Sequence, residues 1–452
     1  MSHMTSDCRT RCMRAMSQGA CPGADAEKIP GFPGRGTCTS RVAGFREVSR
    51  WATGDGLTPE LDGISLARAV TEQARRRGKH FLRTKTLVQL SEIRSRNTSG
   101  RPFLEAFLHC MLDKHEGRFW NRSYLALPLL ELLLDERHSA LSPDRLATLL
   151  ISDVIRFEIE AAATSPGEPG RGRPDPATLR KRLHHALRFV GDQLGATDAE
   201  DVPPRPGQGP ESRMEDLLPH LPRPPATDAG RWFDVSVQPV YVLHDEYFFI
   251  RALQTHEMVF TTISADTQAA VRELRDGHLE AAVERVDHAT AMFERAAALF
   301  RIVATMRAEQ FFAFRQFTQG ASAIQSEQYK RFEMACGAPT ASRLQSDAFT
   351  NVPAVRAEAE EAGHDSLARA CLDIRGEGGF SQAQWTVLDA ALGRLESRHQ
   401  RWKATHRRLA MRMLGDAHGS GYTSGVPYLT ECLDNRLFWQ LGEVGATACA
   451  TD

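Results

Sequence analysis

Apolar residues recur at helical spacing through residues 58–163. Three groups of positions carry this pattern: Leu66, Val70 and Ala74; Phe103, Phe107 and Leu112; and Leu146, Leu150, Val154 and Phe157. In the apolar run Leu125–Leu134, Pro128 should begin or kink a helix, because proline lacks the amide hydrogen that a helix interior needs. Each group predicts an amphipathic helix whose apolar side faces a core.

The second half of the chain has the same periodicity. Residues 179–194 predict one helix, and a long apolar stripe with charged residues between its members runs from Val271 to Met306. Only Phe233–Val242 alternates apolar and polar positions in the way typical of a strand. The pattern therefore predicts an all-α protein.

Glycine and proline divide the chain into parts. Residues 1–57 are rich in Gly, Pro, Ser, Thr and Cys with little periodicity, which is typical of a disordered leader. The Pro- and Gly-rich stretches at 203–210 and 222–225 are suited to neither helix nor strand. We predict a leader at 1–57, an N-terminal helical domain at 58–202, a linker at 203–228 and a second helical domain at 229–445.

Charge and hydropathy exclude some classes of protein. The 452 residues carry 56 Lys and Arg against 57 Asp and Glu, a formal net charge of −1, whereas a nucleic-acid binder would show a basic excess. The apolar run Leu125–Leu134 is about half of the ~20 residues that cross a bilayer, and no secretory signal follows the early basic residues. Nine cysteines include no CxxC pair. These features predict a cytoplasmic protein with free thiols and no nucleic-acid or membrane partner.

Familiar catalytic motifs are missing from the sequence. HExxH, GxSxG, GxxxxGK[ST] and GxGxxG do not occur. A carboxylate–histidine metal site built from His244, Glu246, His256 and Glu257 stays open as an alternative. Three other segments, at 245–258, 311–330 and 402–429, combine residues whose chemistry suggests ligand binding.

The second segment places an arginine among aromatic residues. Arg315 is surrounded in sequence by Phe311, Phe312, Phe314 and Phe317. A guanidinium is a planar fork suited to a carboxylate, and an apolar setting strengthens that pairing. Arg315 is thus either an anion-binding group or an arginine that extends along the surface to water.

The third segment contains a histidine and a glycine-rich loop. His406 lies on a cationic helix from Arg401 to Arg412, and neutral imidazole is a frequent metal or haem ligand. The loop at 419–425 has three glycines and four residues with hydroxyl groups, so its backbone can approach a small ligand closely. A surface histidine and an ordinary loop are equally compatible with these residues.

Taken in order, the three segments resemble the tryptophan 2,3-dioxygenase superfamily, the haem-dependent aromatic oxygenases. That family has a DE-x-x-FI helix followed by a Glu-containing apolar run, then an FR-x-FL-x-P-x-SGFQS-x-QYR block. It ends with a helical histidine nine residues before a glycine, a GTGG-type loop and YL. Here His406 precedes Gly415 by nine residues and the loop 419–425 follows. The resemblance covers roughly residues 237–441.

The resemblance implies a haem-dependent oxygenase domain at 229–445. His406 matches the axial ligand of the haem iron, and Arg315 matches the arginine that pairs with the substrate carboxylate. Ser420 matches a loop threonine that contacts the amino-acid head group, and Phe249 matches an aromatic residue of the substrate pocket. No His-x-x-x-Cys pair occurs, so the implied cofactor is non-covalent haem b, with O2 as co-substrate. The implied substrate is a small aromatic amino acid or derivative.

Departures from the family pattern affect the substrate more than the cofactor. Leu253 occupies the position of the distal histidine of tryptophan 2,3-dioxygenases, and Phe311 replaces a tyrosine. His256, three residues beyond Leu253, is expected to pack rather than to face the pocket. The SGFQS block reads Ser322-Ala-Ile-Gln-Ser326. These changes predict a specialised biosynthetic enzyme, with a tryptophan- or indole-type substrate favoured and a tyrosine-type substrate second.

Two other functions and the assembly state stay open. A haem-binding sensor or carrier on the same fold would bind haem without turnover, and a helical interaction protein with relic motifs would purify colourless. By analogy with the family, the chain is expected to form a homodimer or homotetramer.

Overall fold

The computed structural model describes residues 38–54, 63–97, 100–139, 141–164, 173–194, 218–361, 364–415, 417–419 and 423–445. Within these ranges the chain is helical and contains no strand, which confirms the predicted all-α fold. The helices before residue 229 are α1 Cys38–Thr53, α2 Ile64–Arg77, α3 Thr84–Asn97, α4 Pro102–Leu112, α5 Asn121–Tyr124, α6 Leu127–Leu134, α7 Pro143–Thr164, α8 Pro176–Leu194 and, starting just before it, α9 Asp228–Asp234.

The remaining helices include the three longest helices in the described part of the chain. They are α10 His244–Arg275, α11 Leu279–Val303, α12 Ala308–Thr318, α13 Glu327–Cys336, α14 Ala341–Gln345, α15 Asp347–Thr350, α16 Pro353–Glu360, α17 Leu367–Glu377, α18 Gln382–Leu414 and α19 Val426–Glu431. Short 3-10 turns lie at Lys79–Phe81, Ala323–Gln325, Cys432–Asp434 and Trp439–Gly445.

Local sequence sets where the long helices begin and end. The apolar stripe from 271 to 306 is split between α10 and α11, because Gly277 adopts φ +82° in the turn that joins them. Ser381 caps α18 in a capping box with Gln384, which satisfies amide groups that a helix start leaves unpaired. Pro128 lies in the first turn of α6, as predicted.

One hydrophobic core extends through both halves of the chain. Helix α10 packs against α7, α11 and α13, while α11 also packs against α8 and α18. The same core includes Leu104 and Ile151 from the N-terminal half and Phe293 and Leu392 from the second half. The division at residue 228 stays a prediction, but the described residues on its two sides share this core.

A buried ionic network also crosses the predicted boundary. Arg182 on α8 donates to Glu158 on α7 and to Asp245 on α10, the latter at 3.0 Å. His244 contacts the other oxygen of Glu158 at 2.8 Å. Because these side chains are almost fully buried, removing one partner would leave an uncompensated charge in the interior.

Two parts of the predicted leader and linker are ordered against this core. Helix α1 lies within the predicted 1–57 leader and buries Val48 and Trp51, while the domain bounds stay a prediction. In the predicted linker, Leu221 is buried and its carbonyl accepts a hydrogen bond of 2.7 Å from Arg156 on α7. A few buried apolar residues hold these segments against the core, and composition alone does not reveal them. The rest of the leader and residues 203–217 lie outside the described residues.

The alternating stretch Phe233–Val242 does not form a strand. Its first two residues end α9, and helices rather than strands surround the rest. The carboxylate of Glu246 accepts hydrogen bonds from the backbone of Val240 and Tyr241 at 2.7 and 2.9 Å, and Pro239 accepts one from Lys79. Side-chain and turn partners therefore satisfy this backbone in place of a neighbouring strand.

None of the helices within the described ranges has the length and apolarity needed to cross a bilayer.

Candidate functional site

A large apolar cavity lies between the long helices α10, α11 and α18. The wall also includes residues of helices α12, α13 and α19, of the short helix α5 and of the segment 321–326, together with Gly419, Thr423 and Gly425. Most of the wall is aromatic or aliphatic, with a few polar side chains at separate points. A concave apolar site with a few convergent polar groups is the usual form of a small-molecule site.

The fold brings most of the predicted site residues into this one cavity. Phe249, Leu253, Phe311, Arg315 and His406 all line it, although they come from three different helices. Ser420 lies outside the described residues.

The loop that contains Ser420 is anchored on both sides. Gly419 and Thr423 line the cavity, and the amide of Gly419 donates to the carbonyl of Thr423 at 3.0 Å. A Cβ on Gly419 would lie 2.0 Å from the Thr423 hydroxyl oxygen, and Gly425 has φ +79°. Glycine is therefore favoured at both positions, and both residues line the cavity.

Aromatic side chains form the wall beside Arg315. The Phe249 ring lies 5.5 Å from that of Phe311 and 5.3 Å from that of Phe314. Two phenylalanines that surround Arg315 in sequence are not part of this wall. Phe312 is 41% exposed, and Phe317 stacks on Tyr241 instead.

Arg315 is a cation without a carboxylate partner in the described part of the chain. Its Nη2 donates to the carbonyl of His418, and its buried Nε has no hydrogen-bond partner there. Burial lowers the pKa of the guanidinium from its ordinary value, yet arginine stays charged in proteins. An unpaired buried donor costs about 1–3 kcal/mol, so an anionic ligand in the cavity would relieve that cost.

His406 presents a neutral imidazole to the cavity. Its ring stacks on Phe300 at 5.5 Å and lies 5.6 Å from the ring of Trp402. Burial lowers its pKa to about 4, because desolvation disfavours the imidazolium ion. A neutral imidazole has the free lone pair that an iron ligand needs.

His256 lies in the same wall as His406. It is 6% exposed, its Nδ1 is 3.1 Å from the carbonyl oxygen of Ala252, and its ring is 5.2 Å from that of Phe300. Burial lowers its pKa to about 4. The two histidines thus pack on one phenylalanine, and His256 also bonds its own helix.

The alternative metal site is not assembled. His244 and Glu246 are engaged with Glu158 and with the backbone of Val240, away from the cavity. The described residues include no group of three or more His, Cys, Asp or Glu placed to hold a metal ion.

A cationic end of the cavity was not predicted from the sequence. Lys330, Arg343 and Lys403 line it. Lys330 and Arg343 bond Glu333 at 3.1 and 2.9 Å, while Lys403 donates to two backbone carbonyls. Three cations against two nearby carboxylates, Glu333 and Glu396, leave this end with an excess of positive charge that suits an anionic group. The three residues are 13 to 73 positions apart, so no local pattern marks them.

Glu257 is a buried carboxyl group in the cavity wall. It is 5% exposed and accepts a hydrogen bond of 2.9 Å from the Ser326 hydroxyl. Burial raises its pKa to about 7. The folded chain therefore holds a proton that the unfolded chain releases above its ordinary pKa of 4.5.

This proton predicts a pH-dependent effect of Glu257→Gln on stability. As pH rises from 4.5 to 7, Glu257 ionises in the unfolded chain but stays protonated in the folded chain. The wild-type fold should therefore lose up to about 3 kcal/mol of stability over this range. The variant keeps the acceptor for Ser326 without a charge. In denaturant unfolding it should equal wild type near pH 4.5 and be about 2–3 kcal/mol more stable at pH 8. The exposed Glu377→Gln is the control, and an equal difference at both pH values would refute this reading.

The N-terminal half also contributes to the cavity. Asn121, Tyr124 and Leu125 line it and are almost fully buried. Sequence reasoning missed them because they are more than a hundred residues from the other blocks. The apolar run that begins at Leu125 was the one signal in this region, and it indicated only a helix.

The residues of the cavity suit a haem. Two imidazoles, His256 and His406, line the cavity, and the family resemblance assigns His406 to the iron. The aromatic walls of Phe260, Phe300 and Trp402 suit the macrocycle, and the cationic end suits the propionates of that group. Arg315 is a separate cation in the same cavity. The fold and site together define an all-α protein with an apolar cavity whose lining residues are chemically compatible with a haem and a small anionic ligand.

Comparison with known proteins agrees with that class. Residues 235–368 match the family profile described as Tryptophan 2,3-dioxygenase. The tryptophan 2,3-dioxygenase of Burkholderia mallei (strain SAVP1) is 26% identical over 238 residues, which cover 45% of this chain and 77% of the relative. That of Burkholderia pseudomallei (strain 668) is 27% identical over the same coverage. These similarities support membership of the tryptophan 2,3-dioxygenase superfamily, at low identity to the relatives.

The matched region covers one part of the site. It includes Phe249, Leu253, Phe311 and Arg315, and it ends before α18, which carries His406.

Proposed function

We propose that this chain is a haem-dependent oxygenase that uses O2 to oxidise the ring of an aromatic amino acid or derivative. A tryptophan- or indole-type substrate is favoured and a tyrosine-type substrate is second, in a specialised biosynthetic role in the cytoplasm. The observation that carries the proposal is that Arg315 and His406 line one apolar cavity, although they are 91 positions apart. The superfamily relatives, named for tryptophan 2,3-dioxygenation, support the same reaction class.

Each residue has a defined task in this proposal. His406 would hold the haem iron through its neutral imidazole, and the cationic end around Lys330 and Lys403 would receive the propionates. Non-covalent haem b supplies the activation of O2; the chain supplies binding and orientation. Arg315 binds the substrate carboxylate, assisted by the Ser420 hydroxyl. Phe249 and Phe311 hold the substrate ring, and the apolar wall excludes water from it.

Leu253 limits the hydrogen bonds that the cavity wall can make with the substrate ring or with bound oxygen. A leucine neither accepts a hydrogen bond from an indole N–H nor donates one to bound oxygen. No protein base is therefore available at that position. We expect free L-tryptophan to be a poor substrate and a modified or different aromatic compound to be preferred.

The visible spectrum of the purified chain tests the proposed function. The chain should show a Soret band, and an aromatic amino acid or derivative should perturb that band. After anaerobic reduction and addition of substrate, O2 should produce an oxidised aromatic product. With L-tryptophan, near-ultraviolet absorbance should show N-formylkynurenine forming well below about 1 s⁻¹, the low end of ordinary turnover numbers.

Other outcomes separate the alternatives. A haem spectrum without turnover of any aromatic compound would favour a sensor or carrier. A colourless chain that does not take up added haem would favour an interaction protein. Turnover of L-tryptophan at about 1 s⁻¹ or faster would show that the leucine at position 253 does not make L-tryptophan a poor substrate. Assembly as a homodimer or homotetramer stays a prediction.

A further inference from the structure

The short helix α5 and the residue after it form one wall of the cavity. Asn121, Tyr124 and Leu125 supply this wall, which is here named the N-terminal wall. Two hydrogen bonds of 2.7 Å fix it: the Asn121 amide donates to Gln325 Oε1, and Gln254 Nε2 donates to the Leu125 carbonyl. The N-terminal wall is therefore held in place by the 3-10 turn at 323–325 and by α10, beside Leu253.

The side-chain nitrogen of Asn121 is a buried hydrogen-bond donor without a partner in the described part of the chain. The residue is 1% exposed, and its Nδ2 has no hydrogen-bond partner among the residues that the structure covers. The bond to Gln325 uses the backbone amide of Asn121, so it does not engage the carboxamide. Buried polar groups in native proteins are nearly always paired, because an unpaired one destabilises the fold.

The location of Asn121 separates it from the groups that bind the amino-acid head. Arg315 is bonded to His418, at the start of the loop that carries Ser420. Asn121 is instead anchored to Gln325, and its neighbour Leu125 is anchored to α10 next to Leu253. Leu253 occupies the wall proposed to face the substrate ring, and Asn121 lines the same cavity.

We propose that Asn121 is a specificity-determining residue whose carboxamide hydrogen-bonds a hydroxyl group on the aromatic ring of the substrate. This inference rests on the proposed function. A carboxamide both donates and accepts, and a hydroxyl group does the same, so the two groups can satisfy each other. A site built to bond a substrate hydroxyl discriminates strongly against the analogue that lacks it, since the protein group is then left unpaired.

Paired ligands test the inference on the haem-loaded full chain. The shift of the ferric Soret band is titrated with 5-hydroxy-L-tryptophan against L-tryptophan, and with L-tyrosine against L-phenylalanine. Wild type should prefer the hydroxylated member of at least one pair by about tenfold or more, which corresponds to about 1.4 kcal/mol. In Asn121→Leu, a near-isosteric change, that preference should fall below about threefold while the non-hydroxylated member binds as well or better.

Matched variants distinguish this role from a structural one. Asn121→Ala removes the same carboxamide and keeps the backbone bond to Gln325, so it should also lose the preference even if the leucine variant does not fold. Asn435→Ala makes the same type of change outside the cavity and should keep the wild-type preference. An unchanged Soret band of the free variants would show that the haem pocket is intact.

Results that contradict the role of Asn121 differ from results that contradict the proposed function. Aromatic amino acids that bind wild type without any hydroxyl preference, or a preference that persists in both Asn121 variants, would overturn this inference alone. A preference that persists in both variants would indicate that Asn121 bonds a water molecule and not the substrate. A haem-loaded chain that binds no aromatic amino acid would overturn the proposed function together with the inference.

Discussion

Replacement of His406 by alanine is expected to remove most of the haem from the protein. His406 is the imidazole that we propose for the iron, and its low pKa keeps the ligand form available well below neutral pH. Loss of residues that merely support a metal ligand typically costs 10–100-fold in affinity, so loss of the ligand itself should cost at least about a hundredfold. Haem stoichiometry and the Soret band of the purified variant are the measurements.

His256→Ala is the matched control for this experiment. His256 also lines the cavity, packs on the same phenylalanine ring and has a similarly low pKa, but the family resemblance assigns the iron to His406 and not to His256. The His256→Ala variant should therefore keep most of the haem. Added imidazole should partly restore haem binding to His406→Gly, because it can occupy the space that the side chain leaves. If His406→Ala retained a normal Soret band and stoichiometry, the axial ligand would be another residue.

Arg315→Ala should weaken the binding of amino-acid substrates by at least roughly thirtyfold while leaving the haem spectrum nearly unchanged. Truncating one partner of a buried charge pair costs ~2–5 kcal/mol. The partly buried guanidinium has no carboxylate partner among the described residues, and so the substrate carboxylate would be its counter-ion. Arg315→Lys should also bind poorly, since an ammonium group cannot reproduce the planar fork. Titration of the Soret band measures the affinity.

Two comparisons isolate the carboxylate in this experiment. A decarboxylated analogue of the substrate should bind wild type and Arg315→Ala about equally. Arg412 also donates to a backbone carbonyl, that of Ala304, but does not line the cavity, and Arg412→Ala should bind substrate normally. The assignment fails if the amino acid itself binds Arg315→Ala as tightly as wild type.

The helices were predictable because their causes are local. The spacing of Leu146, Leu150, Val154 and Phe157 makes one apolar side on any helix, and α7 buries all four. The alternating stretch at 233–242 failed as a prediction because a strand needs a partner strand, which is a property of the neighbours and not of the segment. Helix α1 was missed because two buried residues, Val48 and Trp51, hold it in an otherwise weakly patterned region.

The sequence by itself determined the helical periodicity and, through the order and spacing of three short blocks, the superfamily and the candidates Arg315 and His406. Tertiary structure alone decided which side chains share the cavity. It selected Phe311 and Phe314 over their neighbours Phe312 and Phe317, gathered Lys330, Arg343 and Lys403 at one end, and brought Asn121 to the site from the N-terminal half. The physical reason is that helix periodicity is fixed by residues three or four apart, whereas a cavity forms where distant helices pack and leave space between them.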